Sequence, residues 1–292
     1  MVPRGTSPPA DVNLLIRRLE EAHPDAACAL THTNPFQLLV ATILSAQCTD
    51  ARVNQVTPVL FARFPDAEAM SLASQEELEA LIRTTGFFRN KSKSIRGSSQ
   101  RLVEAFGGIV PRSMDELLSL PGVARKTANV VLGVGHGIAE GVVVDTHVYR
   151  VSRRLGLTRG KGPVEVEQDL MQTIPRDKWI EFAHLLIFHG RRVCVARKPR
   201  CEACAVLDLC PSASYFLAGK VPPWDRGGEA GEPRAAKKGP RSRVAAKVAA
   251  GGKATARKRA VPKPAASRKA RKSSAPRKLR KSAAARARRR AS

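Results

Sequence analysis

The chain has 292 residues, a formal net charge of +26 and only 4% aromatic residues. That length allows one large domain or two modest ones, and the charge makes a polyanion the expected partner. No apolar run approaches the roughly 20 residues of a membrane span, the N-terminus has no apolar signal core, and six clustered cysteines do not make a disulfide scaffold, so a cytoplasmic, non-membrane protein is expected.

In chain order, residues 1–10 read as a flexible arm. Asp11 can cap a first helix whose apolar face uses Val12, Leu15, Ile16 and Leu19. Asn34-Pro35 places a cap before a proline at the first helical position, and Leu38, Leu39, Ile43 and Leu44 then form a buried helix. Ser74 with Glu77, and Ser113 with Glu116, have the spacing of capping boxes. Between them, Thr85-Gly86-Phe87-Phe88-Arg89-Asn90-Lys91 sets two aromatics beside glycine and two basic residues, which suits base stacking; a core aromatic pair is the plainer alternative. Only Val142–Val144 looks strand-like, and it is too short to argue a sheet. The body is therefore expected to be all-α.

The stretch Leu120-Pro121-Gly122-Val123-Ala124-Arg125-Lys126 reads as a tight turn between two helices. Backbone N–H groups there, beside a helix N-terminus, can grip a phosphate without reading sequence; a simple interhelical loop is the alternative. Lys126 falls in the first turn of the outgoing helix, where the helix dipole disfavours a cation. Asp145 follows an apolar run and precedes a helix, so it suits an N-cap, a role compatible with catalysis.

Cys194, Cys201, Cys204 and Cys210 give C-x6-C-x2-C-x5-C, a set that four-thiolate zinc and [4Fe–4S] sites both use. Cys28 and Cys48 lie outside it and read as small core residues. From Arg226 onward the chain holds 24 of its 51 basic residues and two of its 25 acids, and Leu279 is its only Leu, Ile or Phe. Such a stretch buries too little apolar surface to offset its ordering entropy, so residues 225–292 are expected to be a disordered Lys/Arg/Ala/Pro-rich tail, either a non-specific phosphate binder or a plain solubilising extension.

LPGVARKTANVV followed by VDTHVYRV, together with the cysteine loop and its HGR lead-in, resembles the helix-hairpin-helix, acidic and cluster motifs of the endonuclease III family. The resemblance runs from about Asp11 to about Cys210. It implies two helical domains: residues 28–138 as a six-helix barrel carrying the hairpin, and residues 11–27 with 139–224 as an iron–sulfur cluster domain. It also implies a bifunctional DNA glycosylase and abasic-site lyase acting on oxidised pyrimidines. Lys126 would be the nucleophile and Asp145 its acidic partner. The four cysteines would hold a [4Fe–4S] cluster, with Arg197, Lys198 and Arg200 presented to phosphates. Gly122, Val123, Ala124 and Arg125 would form the hairpin grip, Gln47 and Phe87 the wedges that enter the duplex, and Asp50 part of the pocket. The implied partner is double-stranded DNA containing damaged bases or abasic sites, bound by a nucleoid-associated monomer. One departure stands out. Ala124 replaces the family's usual second glycine, which raises the expectation of a strained hairpin if that position needs a positive φ. A mismatch-specific adenine glycosylase and a non-catalytic DNA binder are the rival readings. The hairpin lysine argues against the first, and Lys126 together with Asp145 against the second.

Overall fold

In a computed structural model, residues 11–225 are described and every regular element among them is helical. The expectations for residues 1–10 and for the basic tail beyond residue 225 lie outside the described residues. Among those described, no helix is long and apolar enough to cross a membrane.

Local chemistry accounts for most helix starts. Asp11 Oδ1 accepts from Leu14 N at 2.8 Å and opens α1 (Val12–Ala22), which buries Leu15, Ile16 and Leu19. Asn34 Oδ1 accepts from Gln37 N at 2.9 Å and opens α2 (Pro35–Leu44), with proline in its first turn. Thr49 caps α3 (Asp50–Arg63) and Asp66 caps α4 (Ala67–Leu72). Ser74 and Glu77 close a full capping box on α5 (Gln75–Ile82). At α7 (Met114–Leu118) only half of the expected box forms. Ser113 Oγ accepts from Glu116 N, while the Glu116 carboxylate takes the Ser113 hydroxyl at 2.6 Å instead of reaching the backbone. The long α6 (Phe88–Phe106) starts without a side-chain cap. Later in the chain come α8 (Arg125–Val130), α9 (Thr146–Arg154), α10 (Pro163–Thr173), α11 (Trp179–Arg192) and α12 (Ala213–Leu217). The valines at 142–144 form an extended connection that buries Val142 and Val144, with no strand.

Two hydrophobic cores result. The first draws on residues between Leu30 and Leu132, centred on Leu39, Leu44, Leu60, Met70, Ile95 and Leu102. The second joins α1 to the chain between Val142 and Val206, including Val148, Leu170, Phe182 and Leu186. Truncating a leucine at the centre of either core to alanine costs about 2–5 kcal/mol by transfer and cavity terms.

Polar straps tie the two cores together. Arg125 of α8 donates to both carboxylate oxygens of the buried Glu167 on α10, at 3.0 and 3.1 Å, and Asn129 Nδ2 donates to the same carboxylate at 2.8 Å. Arg191 of α11 pairs with Asp50 of α3 at 2.8 Å. Glu167 is the only group that neutralises Arg125 among the described residues, so this strap couples hairpin position to α10.

Candidate active site and cluster loop

The hairpin turn is built on α6. Gly122 has φ +79°, and a Cβ added there would lie 2.4 Å from Ser94 Cβ; Ser98 Oγ donates to Pro121 O at 2.6 Å. Ala124 has φ −101° and is extended, the usual state for a residue preceding a helix, so the expected strain does not arise. The positive φ of this hairpin falls on Gly122 alone. Ala124 provides no side-chain cap, and the first turn of α8 is left without a side-chain acceptor. Gly122→Ala is therefore expected to destabilise the protein by about 1–3 kcal/mol from backbone strain. Thermal unfolding checks this; an unchanged midpoint would contradict the role given to the turn.

Lys126, the second residue of α8, is exposed. Asp145 is the N-cap of α9, as expected: Oδ1 accepts from His147 N and Val148 N, both at 2.8 Å. Both bonds use one oxygen, so Oδ2 remains available to the space that Asp145 lines. Lys126 and Asp145 line the same solvent-open cleft, which is also walled by Asp50, Asn129 and residues from both cores. The cleft places a primary amine and a carboxylate, carried by separate helix N-termini, where one ligand can meet both.

Several lining residues went unread in the sequence. Ile180, Ala183, His184, Ile187, Phe188 and Arg191 all face the cleft from α11, at the spacing of one helical stripe. That periodicity was the available signal. Burial lowers the His184 pKa, favouring a neutral imidazole in the wall. Cys28, read as an ordinary core residue, also lines the cleft; it packs on the first core from that wall.

The two expected wedges share a feature. Gln47 (φ +52°) and Phe87 (φ +47°) are the only non-glycine residues in the left-handed region among those described. Such conformations persist where the surroundings enforce them, often at ligand-contacting loops. Phe87 is 64% exposed, whereas Phe88 is half-buried against the first core, so the aromatic pair splits one out and one in. Gln47 is exposed as well, three residues before Asp50. Lys91, read with Arg89 as a basic residue facing nucleic acid, is instead buried.

The four cysteines Cys194, Cys201, Cys204 and Cys210 line one small cavity. Four cysteines lining one cavity supply the donor set that a [4Fe–4S] cluster takes. Burial pushes the Cys210 thiol up to about 12 and raises Cys201 and Cys204 too. Helix α9 grips this loop. Arg150 donates to Gly190 O at 3.0 Å and to Cys194 O; the buried Arg154 donates to Val195 O at 2.9 Å, to Ala196 O at 2.8 Å and to Cys194 Sγ at 3.5 Å. His189, its pKa lowered to about 4 by burial, sets Nε2 at 3.7 Å from Cys204 Sγ and Nδ1 at 3.1 Å from His23. One helix thus begins at Asp145 and ends at the cysteine loop. Arg197, Lys198 and Arg200 lie exposed on that loop.

Comparison with known proteins agrees with this arrangement. Residues 40–176 match the model for the HhH-GPD superfamily of base-excision DNA repair proteins, and residues 194–210 match the iron–sulfur binding domain of endonuclease III. The chain is 57% identical over 195 residues to endonuclease III of Synechocystis sp., covering 67% of this chain and 89% of that protein. It is 39% identical to endonuclease III of Escherichia coli K12, covering 67% and 92%. A trapped endonuclease III–DNA covalent intermediate superposes with a TM-score of 0.65 at 45% identity, covering 69% of this chain and 95% of that one. A non-covalent endonuclease III–DNA complex gives 0.67 at 43% identity, covering 71% and 97%.

Proposed function

Since the chain belongs to the endonuclease III family, and is thus a base-excision-repair DNA glycosylase and abasic-site lyase with a [4Fe–4S] cluster, we propose that it excises oxidised pyrimidines and cuts the strand 3′ to the abasic site through a Schiff base on Lys126. The observation that carries this reading is the convergence of Lys126 and Asp145 on one cleft.

The chemistry is nucleophilic catalysis by an amine. The Lys126 free amine attacks C1′ of the flipped nucleotide, the C1′–N bond breaks and the base departs with a proton. Ring opening gives an iminium at C1′, which makes the C2′ proton acidic. Its removal expels the 3′ phosphate by β-elimination, and water then releases the lysine. Asp145 Oδ2 stabilises positive charge building at the sugar and accepts the proton that Lys126 loses, while Oδ1 stays bound to the two α9 amides. Asp50 and His184 contribute to the pocket wall around the extruded base.

The remaining assignments follow the same reading. Residues 28–138 form the barrel domain and residues 11–27 with 139–224 the cluster domain, which the two separate cores support. The partner is duplex DNA with a damaged base or abasic site. The turn Gly122–Arg125 grips a phosphate by backbone amides; the Arg125 side chain is engaged by Glu167 and serves position more than contact. Gln47 and Phe87 enter the duplex from their exposed loops.

Cys194, Cys201, Cys204 and Cys210 hold the cluster, which when bound supplies iron–thiolate bonds that close the loop carrying Arg197, Lys198 and Arg200. Cys210→Ser is expected to lose iron and the visible iron–sulfur absorbance, and to lower thermal stability. Retention of full iron content would contradict this ligand set.

The substrate class is tested by single-turnover release of base from duplexes carrying one oxidised pyrimidine, one intact pyrimidine or one oxidised purine. Release from the oxidised pyrimidine alone is expected. Preference for the purine would overturn the substrate assignment and leave the lyase standing.

A further inference from the structure

The buried lysine of α6 has no place in the mechanism above. Lys91 is 5% exposed and sits in the first turn of its helix, where the dipole opposes a cation. Desolvation lowers its pKa, and no carboxylate pairs with it among the described residues. Its Nζ instead donates to two main-chain carbonyls, Leu44 O and Thr85 O, both at 2.8 Å. A buried ammonium held only by carbonyls is a costly arrangement, and a neutral side chain would pack more cheaply if filling were all the position required.

The two carbonyls come from separate parts of the chain. Leu44 is the last residue of α2, and Thr85 the last of the 3-10 turn Arg83–Thr85. Each helix end leaves carbonyls without intrahelical partners, and a cation there is also favoured by the negative end of the dipole. Three residues beyond Leu44 stands Gln47, and two beyond Thr85 stands Phe87. These are the two left-handed non-glycine residues of the described chain. A single ammonium therefore joins the bases of both strained loops.

We infer that Lys91 is a positioning residue that locks the Gln47 and Phe87 loops to one another, so that both side chains enter a duplex as one preformed pair. This rests on the wedge reading of Gln47 and Phe87. Lys91 touches no substrate; it acts by holding two loops whose backbone strain would otherwise relax. Preformed wedges avoid ordering costs at the moment of binding. Loss of Lys91 should therefore harm reactions that require opening a duplex more than those that do not.

The test compares single-turnover incision of an abasic strand in a duplex with incision of the same strand unpaired. Folding is followed by visible cluster absorbance and thermal unfolding. Gln47→Ala and Phe87→Ala are expected to lower the duplex-to-single-strand ratio. Lys91→Met is expected to lower it about tenfold, the scale of one net hydrogen bond's worth of lost preorganisation. In a chain already carrying Gln47→Ala and Phe87→Ala, Lys91→Met should lower it no further, because the three residues act through one insertion. Lys91→Gln, which keeps a donor for one carbonyl, should fall between wild type and methionine, and it carries the test if the methionine variant does not accumulate. Additive losses in the triple variant, or an unchanged ratio in Lys91→Met beside lowered ratios in the wedge variants, would overturn the role of Lys91 alone. Unchanged ratios in Gln47→Ala and Phe87→Ala would instead overturn the wedge reading, and the inference with it.

Discussion

Replacing Lys126 with glutamine is expected to abolish strand cleavage. Glutamine keeps much of the length and the hydrogen-bonding capacity of lysine, and position 126 is exposed, so no core contact is lost. Stability should move by no more than about 0.5 kcal/mol, as for other surface positions. What disappears is the only primary amine that lines the cleft among the described residues. Without an amine no imine forms at C1′, and without the imine the C2′ proton is not acidic enough for elimination. Removal of a covalent nucleophile lowers turnover on the order of 10⁴-fold or more. Incision of an abasic duplex, read on a denaturing gel, checks the prediction. A glutamine variant that cleaves at the wild-type rate would assign the lyase step to another group.

Asp145→Asn should separate two roles held by one side chain. Asparagine caps helices about as well as aspartate. Oδ1 can keep both α9 amide bonds, so α9 and the cysteine loop it grips should stay in place. The thermal midpoint should hardly move. The charge on the cleft wall is nevertheless lost, and with it the proposed proton acceptor and stabiliser of a developing sugar cation. Base release should fall by roughly 10²–10⁴-fold, the usual range for a positioned acid–base group. An activity loss that merely tracked a falling midpoint would reduce Asp145 to a cap. Full activity with an intact fold would remove it from the chemistry altogether.

The features legible in the sequence were those set by near neighbours. Asp11, Asn34, Ser74 and Asp145 cap the helices they were expected to cap, because a cap bond spans two or three residues and needs no tertiary context. That Lys126 and Asp145 line one cleft was to be expected only from the resemblance of their two motifs, since 19 positions separate them and no local rule joins them. Ala124 shows the limit of arguing from a glycine that is missing. The backbone demand falls on Gly122, wedged against Ser94, and Ala124 keeps the extended conformation of a helix-preceding residue. Lys91 shows another limit. Its partners are carbonyls six and 47 residues away, and a carbonyl leaves no mark on the residue type that carries it. The cleft face of α11 was different. Its stripe from Ile180 to Arg191 is present in the sequence, but an apolar helical face does not say whether it meets a core or a cleft.

Helix α9 connects the cysteine loop to the cleft that Asp145 lines. Arg150 and Arg154 hold the backbone of the cysteine loop, and the same helix presents Asp145 at its other end.

The most direct test of the Schiff-base assignment is borohydride trapping on a duplex carrying one oxidised pyrimidine, with wild-type protein beside Lys126→Ala. A covalent protein–DNA band from the wild type, absent from the variant, is the predicted result. A band that persists in the variant, or no wild-type band even on an abasic duplex, would contradict it.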